Sequence, residues 1–354
     1  MSRQRKQAGS RTTIRDVAAK SGVSVATVSR VLAGNYPTSE DAKKKVLAAI
    51  DELNYVMNAH ARGLAGQGTR TIAILVEQVT SPFYAAVAQG VEEQAAAGGR
   101  LCLICTTHGD PAQELALVNM LRDQGTDAVI IVGGITPSRE YEIRMARYAE
   151  SLNAVGSVLV LCGRPRLDAD VPHLVVAYEN EEGAYAATNY ILSKGHEDVI
   201  FVGGVEGIST TDDRVRGFRR AMQERGLPTE GRVLLGSHRE AFGRTAVQER
   251  LARGRDFTAI VAYNDHIAAG ALLAVRQAGL RVPEDVSVIG YDDSLLASNL
   301  TPALTSVAVP AQELGRTAVR RALEHQDGDV RDPSQVVTLA THVVVRDSVA
   351  RPRA

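Results

Sequence analysis

The side chains able to do chemistry in this 354-residue chain are spaced for recognition rather than catalysis. There is no GxxxxGK[ST] loop, no HExxH and no GxSxG elbow, and the Gly133-Gly134 and Gly203-Gly204 pairs do not extend to GxGxxG. The histidines stand singly, so His108 and His196 read as loop and helix-end residues, without metal-ligand spacing around them. Cys102 and Cys105 form a CxxC inside the apolar run Leu101 to Cys105, where a strand turns positions three apart to opposite faces; they read as buried thiols. With Cys162 the count is odd and no disulfide framework is implied. No cofactor, metal or enzymatic activity is expected. What remains is polar groups that follow apolar runs: Arg214, Asn264-Asp265 and Asp292-Asp293, with Phe83 in Ser81-Pro82-Phe83-Tyr84. Such groups beside an aromatic suit a small polar ligand with an apolar face, a sugar or a nucleobase.

The elements that position these groups follow from length and charge. A single core stops growing at roughly 250 to 300 residues, so two or three domains are expected. With 45% hydrophobic and 23% charged residues the composition is that of a soluble globular protein. No run of about 18 uncharged apolar residues occurs and the basic N-terminus has no apolar stretch after it, which points to the cytoplasm and away from the membrane. The net charge of -1 conceals a division: residues 1 to 66 hold eleven Lys or Arg against five Asp or Glu, leaving the remainder at -7. A basic module on an acidic body either meets nucleic acid through its phosphates or carries a solvated charged face.

Within that module Thr13-Ile14-Arg15-Asp16 is a capping-box-like start to a helix over 14–20. Gly22 supplies a turn, and Ser24 caps a second helix through about Leu32, with Val28, Val31 and Leu32 inward. A third helix starts near Ser39 and runs through Leu53. In a helix-turn-helix unit the second helix enters the major groove, so Val25, Ala26, Ser29 and Arg30 face base edges. Val25 and Ala26 offer apolar contacts and Arg30 reaches guanine or phosphate. Thr27 either touches phosphate or stands on the helix surface, and Lys43-Lys44-Lys45 reads as a solvated face rather than a phosphate contact.

The string Thr13 to Ala18, Gly22-Val23-Ser24 and Thr27 to Leu32 resembles the DNA-binding headpiece of the LacI/GalR family of bacterial transcriptional regulators. The resemblance continues through Asn54-Tyr55, Asn58-Ala59 and Ala61-Arg62-Gly63-Leu64. It implies a hinge that becomes helical on the operator, with Leu64 as the minor-groove wedge and Asn58 as a cap; a short helix that folds only on DNA is physically reasonable. Met57 stands where the family usually has proline, which removes the preset helix start.

From Thr71 onward short apolar runs at Ile72 to Val76, Leu101 to Cys105, Ala128 to Val132, Val158 to Leu161, Leu174 to Ala177, Val199 to Val202, Ala259 to Ala262 and Val286 to Ile289 alternate with helical stretches near 83–98, 111–124, 138–151, 182–194, 212–225, 241–252 and 265–278. Repeated βαβ units predict parallel sheets, divided between two doubly wound lobes with the ligand at the carboxyl ends of the strands. Gly195-His196, Arg214 to Phe218, Asn264-Asp265, Val282 to Asp293 and Pro302 to Thr305 stand in the order of the same family. This implies an α/β, type I periplasmic-binding-protein-like core, with Phe83, Arg214, Asn264 and Asp265 gripping the effector; Asp292 stays open between a ligand contact and a structural role. Val309 replaces a glutamine common in the family, and Glu179 replaces an aspartate before Asn180.

The expected organisation is a basic disordered arm over 1–11, a headpiece over 12–57, a hinge and linker over 58–68, a core over 69–345 and a tail over 346–354. Within the core the lobes are expected over about 69–165 with 300–330 and about 166–299 with 331–345, the chain crossing near 162–170, 295–303 and after about 330. The reading is a cytoplasmic, homodimeric, sequence-specific regulator, most simply a repressor, controlled by a small metabolite and bound to a pseudo-palindromic operator. A transport-type solute-binding protein, which leaves residues 1–66 unexplained, and an α/β enzyme, which lacks a catalytic constellation, are the alternatives.

Overall fold

A computed structural model describes residues 12–33, 37–55, 70–168, 170–329 and 335–353. The expected basic arm, the hinge, Met57, Asn58 and Leu64 lie outside the described residues. The chain divides into two compact units, the first running to Arg70 and including Gln124–Asp127, the second comprising Thr71–Asp123 and the chain from Ala128 onward.

The first unit holds α1 (Ile14–Ser21), α2 (Val25–Ala33) and α3 (Glu40–Glu52). Asp16 closes the start of α1 by accepting from both the backbone N–H and the hydroxyl of Thr13, each at 2.7 Å, and these bonds hold its carboxyl below the ordinary range. Gly22 ends the helix at φ 69°, donating its N–H to Ala18 O. Ser24 then accepts from the Thr27 N–H at 3.1 Å and opens α2, and Ser39 does the same for α3 through Ala42. Val17, Ala18, Val28, Val46 and Ala49 form one small core among the three helices.

The second unit contains two six-stranded sheets. In chain order its elements are β1 (Thr71–Val76), α4 (Pro82–Ala97), β2 (Leu101–Thr106), α5 (Pro111–Asp123), β3 (Ala128–Val132), α6 (Arg139–Asn153), β4 (Val158–Cys162), β5 (His173–Tyr178), α7 (Asn180–Ser193), β6 (Val199–Val202), α8 (Ser209–Gln223), β7 (Val233–Leu234), α9 (Glu240–Ala252), β8 (Ala259–Ala262), α10 (Asp265–Gln277), β9 (Ser287–Asp292), α11 (Leu295–Asn299), β10 (Thr305–Ala308), α12 (Ala311–Gln326), β11 (Val336–Leu339) and β12 (His342–Val344). The first sheet runs β11-β5-β4-β3-β1-β2, all parallel; the second runs β12-β10-β9-β8-β6-β7, with β12 alone antiparallel. In β1, Ile72, Ile74 and Val76 join the core under α4 and α12, while Ala73 and Leu75 join that under α5 and α6. Complete burial of each such isoleucine stabilises by about 1.5–3 kcal/mol.

The chain crosses between lobes later than its sequence suggested. β5 pairs with β4 in the first sheet, so the first crossing falls between Tyr178 and Asn180 rather than at 162–170. β10 pairs with β9 in the second sheet, which moves the next crossing to 308–311, and β11 returns to pair with β5 before the last at 339–342. Strand pairing sets these points, and turn residues alone do not reveal it. The segment expected as a tail packs on the second lobe over 346–353: Ser348 is fully buried and accepts from Thr305 N–H while donating to Val288 O, and His196 bonds Thr258, Ser287 and Ala350 O.

Cys102 and Cys105 are also less buried than expected, because β2 is an edge strand whose Leu101 is 71% and Ile104 49% exposed; Cys162 in central β4 is fully buried.

Candidate functional site

Two surfaces collect the predicted residues. On the first unit, Val25, Ala26, Ser29 and Arg30 are exposed on α2, while Val28 is buried. Thr27 is half-buried and its hydroxyl lies 2.9 Å from Ser24 Oγ, so it is occupied in closing the helix start. The spacing that buries Val28 turns Ala26 and Arg30 to the opposite side, whereas Val25, three positions earlier, is exposed at the start of the helix.

In the second unit a cleft of about 390 Å³ opens where the strands of both sheets end. The segment after β1 supplies Glu77 and Gln78, and the first turn of α4 brings Phe83 and Tyr84. Tyr178 ends β5, Gly133 and Gly134 follow β3, Thr210 and Arg214 lie in α8, Tyr263 and Asn264 follow β8, and Asp292 ends β9. Glycine is required after β3, since a Cβ on Gly133 would meet Tyr84 Oη at 2.5 Å. Phe83 and Tyr178 pack with ring centroids 5.7 Å apart.

Arg214 organises the far wall. Only 3% exposed, it donates from Nε to Asn180 Oδ1 at 3.0 Å, to Tyr263 O, and toward Asp292 Oδ1 at 3.3 Å. Its guanidinium lies 3.7 Å from the ring centre of Tyr291 and 4.6 Å from that of Tyr263. Burial pushes the Asp292 carboxyl up to about 6 even though Arg214 beside it pulls the other way. Asn264 caps α10 by accepting from Ile267 N–H at 2.9 Å and donates to His238 O. Burial, with the Arg214 charge nearby, lowers the His238 pKa.

Phe83, Arg214, Asn264 and Asp292 are therefore brought together, and Asp265 is not. Asp265 is 1% exposed and turns into the second lobe, where its carboxylate accepts from Ser294 N–H at 2.7 Å, Ser294 Oγ at 2.8 Å and Ser306 Oγ at 2.6 Å. Residues that sequence reasoning missed include Glu77, Tyr178, Thr210, His238 and Tyr263. The strand-end position of Tyr178 and Tyr263 was an available signal; His238 follows a two-residue strand too short to read. Aromatic faces alternating with donors and acceptors of both charges fit a polar ligand with flat apolar sides.

The model for bacterial regulatory proteins of the lacI family matches residues 13–58, and that for a periplasmic binding protein-like domain matches 188–349. The HTH-type transcriptional regulator DegA of Bacillus subtilis (strain 168) is 32% identical over 340 residues, covering 96% of this chain and 98% of its own. The chain belongs to the LacI family. This LacI-family chain is a DNA-binding transcriptional regulator, and the family fold combines a helix-turn-helix headpiece with a two-lobed core. Among solved structures, the transcriptional regulator CelR in complex with cellobiose is 30% identical with a TM-score of 0.70, covering 96% of this chain and 100% of the other. The lac repressor dimer bound to operator and the anti-inducer ONPF superposes with a TM-score of 0.81 at 24% identity, with the same coverage.

Proposed function

We propose that this protein is a repressor whose operator affinity is set by a small sugar or related polar metabolite held in the cleft, and that it performs no chemistry on that ligand. The observation that carries this reading is the placement of Arg214, paired with Asp292 and stacked on Tyr263, opposite the aromatic pair Phe83 and Tyr178. A sugar offers hydroxyls to the charged wall and C–H faces to the rings. The likeness to the CelR–cellobiose complex supports the sugar class.

On the DNA side Val25, Ala26, Ser29 and Arg30 read the major groove, with Thr27 at its edge; Asn58 and Leu64 serve the hinge. The protein acts as a cytoplasmic homodimer on a pseudo-palindromic operator. β2 supports dimerisation, since it leaves Leu101, Leu103 and Ile104 exposed on an unpaired sheet edge, the kind of surface that a partner covers. Among the described residues no helix is long and apolar enough to cross a membrane.

The test is selection of duplexes from a random pool by the full-length protein, followed by titration of the selected duplex with cellobiose and other sugars. One selected sequence with two related half-sites, bound with an affinity that a sugar changes by a factor of about 5 to 150, is expected. Binding that shows no sequence preference, or that no sugar alters, would overturn the reading.

A further inference from the structure

The outer side of the first sheet carries a second cavity, and it shares no residue with the cleft. It is a groove of about 530 Å³ between α5 and α6, within the roughly 300–1,000 Å³ range of small-molecule sites. We propose that this groove binds an amphipathic organic monoanion, a carboxylate carried on a short apolar body.

The apolar walls are Leu115 of α5 and Ile143 of α6, 45% and 44% exposed. Arg122, Arg144 and Arg147 surround them; Glu140 is the single acid in the lining, and the adjacent Asp123 holds Arg122 through two bonds to Oδ1 at 3.0 and 2.8 Å. Arg147 makes no hydrogen bond or ion pair among the described residues. Arg144 is under-used: its buried Nε has no hydrogen bond, and its nearest acid, Glu114 Oε1, is 3.5 Å away, well beyond the roughly 2.7–2.9 Å of a charge-assisted bond. At the floor Tyr148 is 2% exposed and its buried phenol has no partner. Unpaired buried donors are costly, so a cluster of them calls for an acceptor. A carboxylate brings acceptors alone, and its charge answers Arg147 and the unbonded Nε of Arg144; the methylenes behind it cover Leu115 and Ile143. This proposal does not depend on the ligand assigned to the cleft.

The experiment titrates octanoate, and in parallel its neutral amide, into the full-length protein by calorimetry. One saturable octanoate site per chain is expected, with the amide bound at least tenfold more weakly. The double variant Ile143→Ser/Arg147→Ser changes two exposed residues, so it should keep the wild-type melting temperature while losing octanoate affinity at least tenfold. Gln78→Ala, an exposed residue of the cleft lining, should leave octanoate binding unchanged. Absence of a saturable site, equal binding of the amide, or unaltered affinity in the double variant overturns the proposal. So does a double variant whose oligomeric state changes while octanoate binding persists, because the groove then belongs to a second copy of the chain.

Discussion

Ser209 and Ile135 exchange two hydrogen bonds between the lobes: the Ser209 N–H donates to Ile135 O at 2.8 Å, and the Ile135 N–H donates to Ser209 Oγ at 3.1 Å. Ile135 follows β3 of the first sheet and Ser209 opens α8 of the second lobe, so this contact lies away from the three chain crossings. Gly134 makes it possible, because a Cβ there would meet Thr210 Oγ1 at 2.7 Å and Ile208 Cγ2 at 2.8 Å.

Replacing Gly134 with valine should therefore wedge the lobes apart. Small-angle scattering is expected to show a larger radius of gyration, and affinity for the cleft ligand should fall at least tenfold. Unchanged dimensions and affinity would mean that Thr210 and Ile208 move aside and that the contact does not govern closure.

Arg214 and Asp292 form a buried pair, and removing one member leaves the other charge without compensation. Arg214→Ala is expected to destabilise the core by about 3–5 kcal/mol in urea unfolding, whereas Arg214→Met/Asp292→Leu should recover most of that loss. Equal losses in the single and double variants would show that Arg214 acts through its packing on Tyr291 and Tyr263 instead.

Asp265 gives stability a pH dependence of definite sign. Burial, then the nearby Asp292 charge, raises its carboxyl to about 7, with the hydrogen bonds from Ser306 and Ser294 opposing the shift. A folded-state pKa above the unfolded value means that its contribution is fully present below about 4 and is lost as pH rises through about 7. The difference in unfolding free energy between wild type and Asp265→Asn is therefore expected to shift by roughly 2–4 kcal/mol against wild type between pH 4 and 8. A difference that stays constant across this range would mean that the carboxyl is ionised throughout.

The sequence made the headpiece readable almost to the residue, because a capping aspartate at Asp16, a turn glycine at Gly22 and inward-facing Val28 are local signals. Most central strands were equally plain, since strands covered on both faces are continuous apolar runs, but β10, between β9 and β12, was missed because Thr305 and Ser306 break its apolar run. Of the edge strands only β2 was read: β7 has two residues, and β11 and β12 are short and half-exposed. α12 was not read although Leu314, Ala318, Val319 and Ala322 recur at helical spacing on its buried side; Gly315 among them lets α4 approach closely. The site shows the same limit at single-residue scale. Asn264 and Asp265 are adjacent at the end of β8, and their place in the chain cannot tell which one faces the ligand. The cap geometry decides it: Asn264 at the helix start borders the cleft, whereas Asp265 in the first turn points at Ser294 and Ser306.

On the DNA side, Arg30 and Lys45 should separate specific from general binding. Arg30 is exposed on α2 and has no hydrogen-bond or ion-pair partner among the described residues, so its guanidinium is available to a base edge at no cost in protein contacts. Lys45 on α3 instead pairs with Asp41 at 2.7 Å, with both side chains more than half exposed, an arrangement worth at most about 1 kcal/mol and suited to a solvated face. Arg30→Ala is expected to weaken binding to the selected operator by about 1–3 kcal/mol while nonspecific DNA is held nearly as before. Lys45→Ala should change neither the operator preference nor, by more than a fraction of one, the slope of log affinity against log salt. Competition titrations at several salt concentrations measure both quantities. If Arg30→Ala weakens operator and random duplex equally, its role is phosphate contact, and the reading of bases passes to Val25, Ala26 and Ser29.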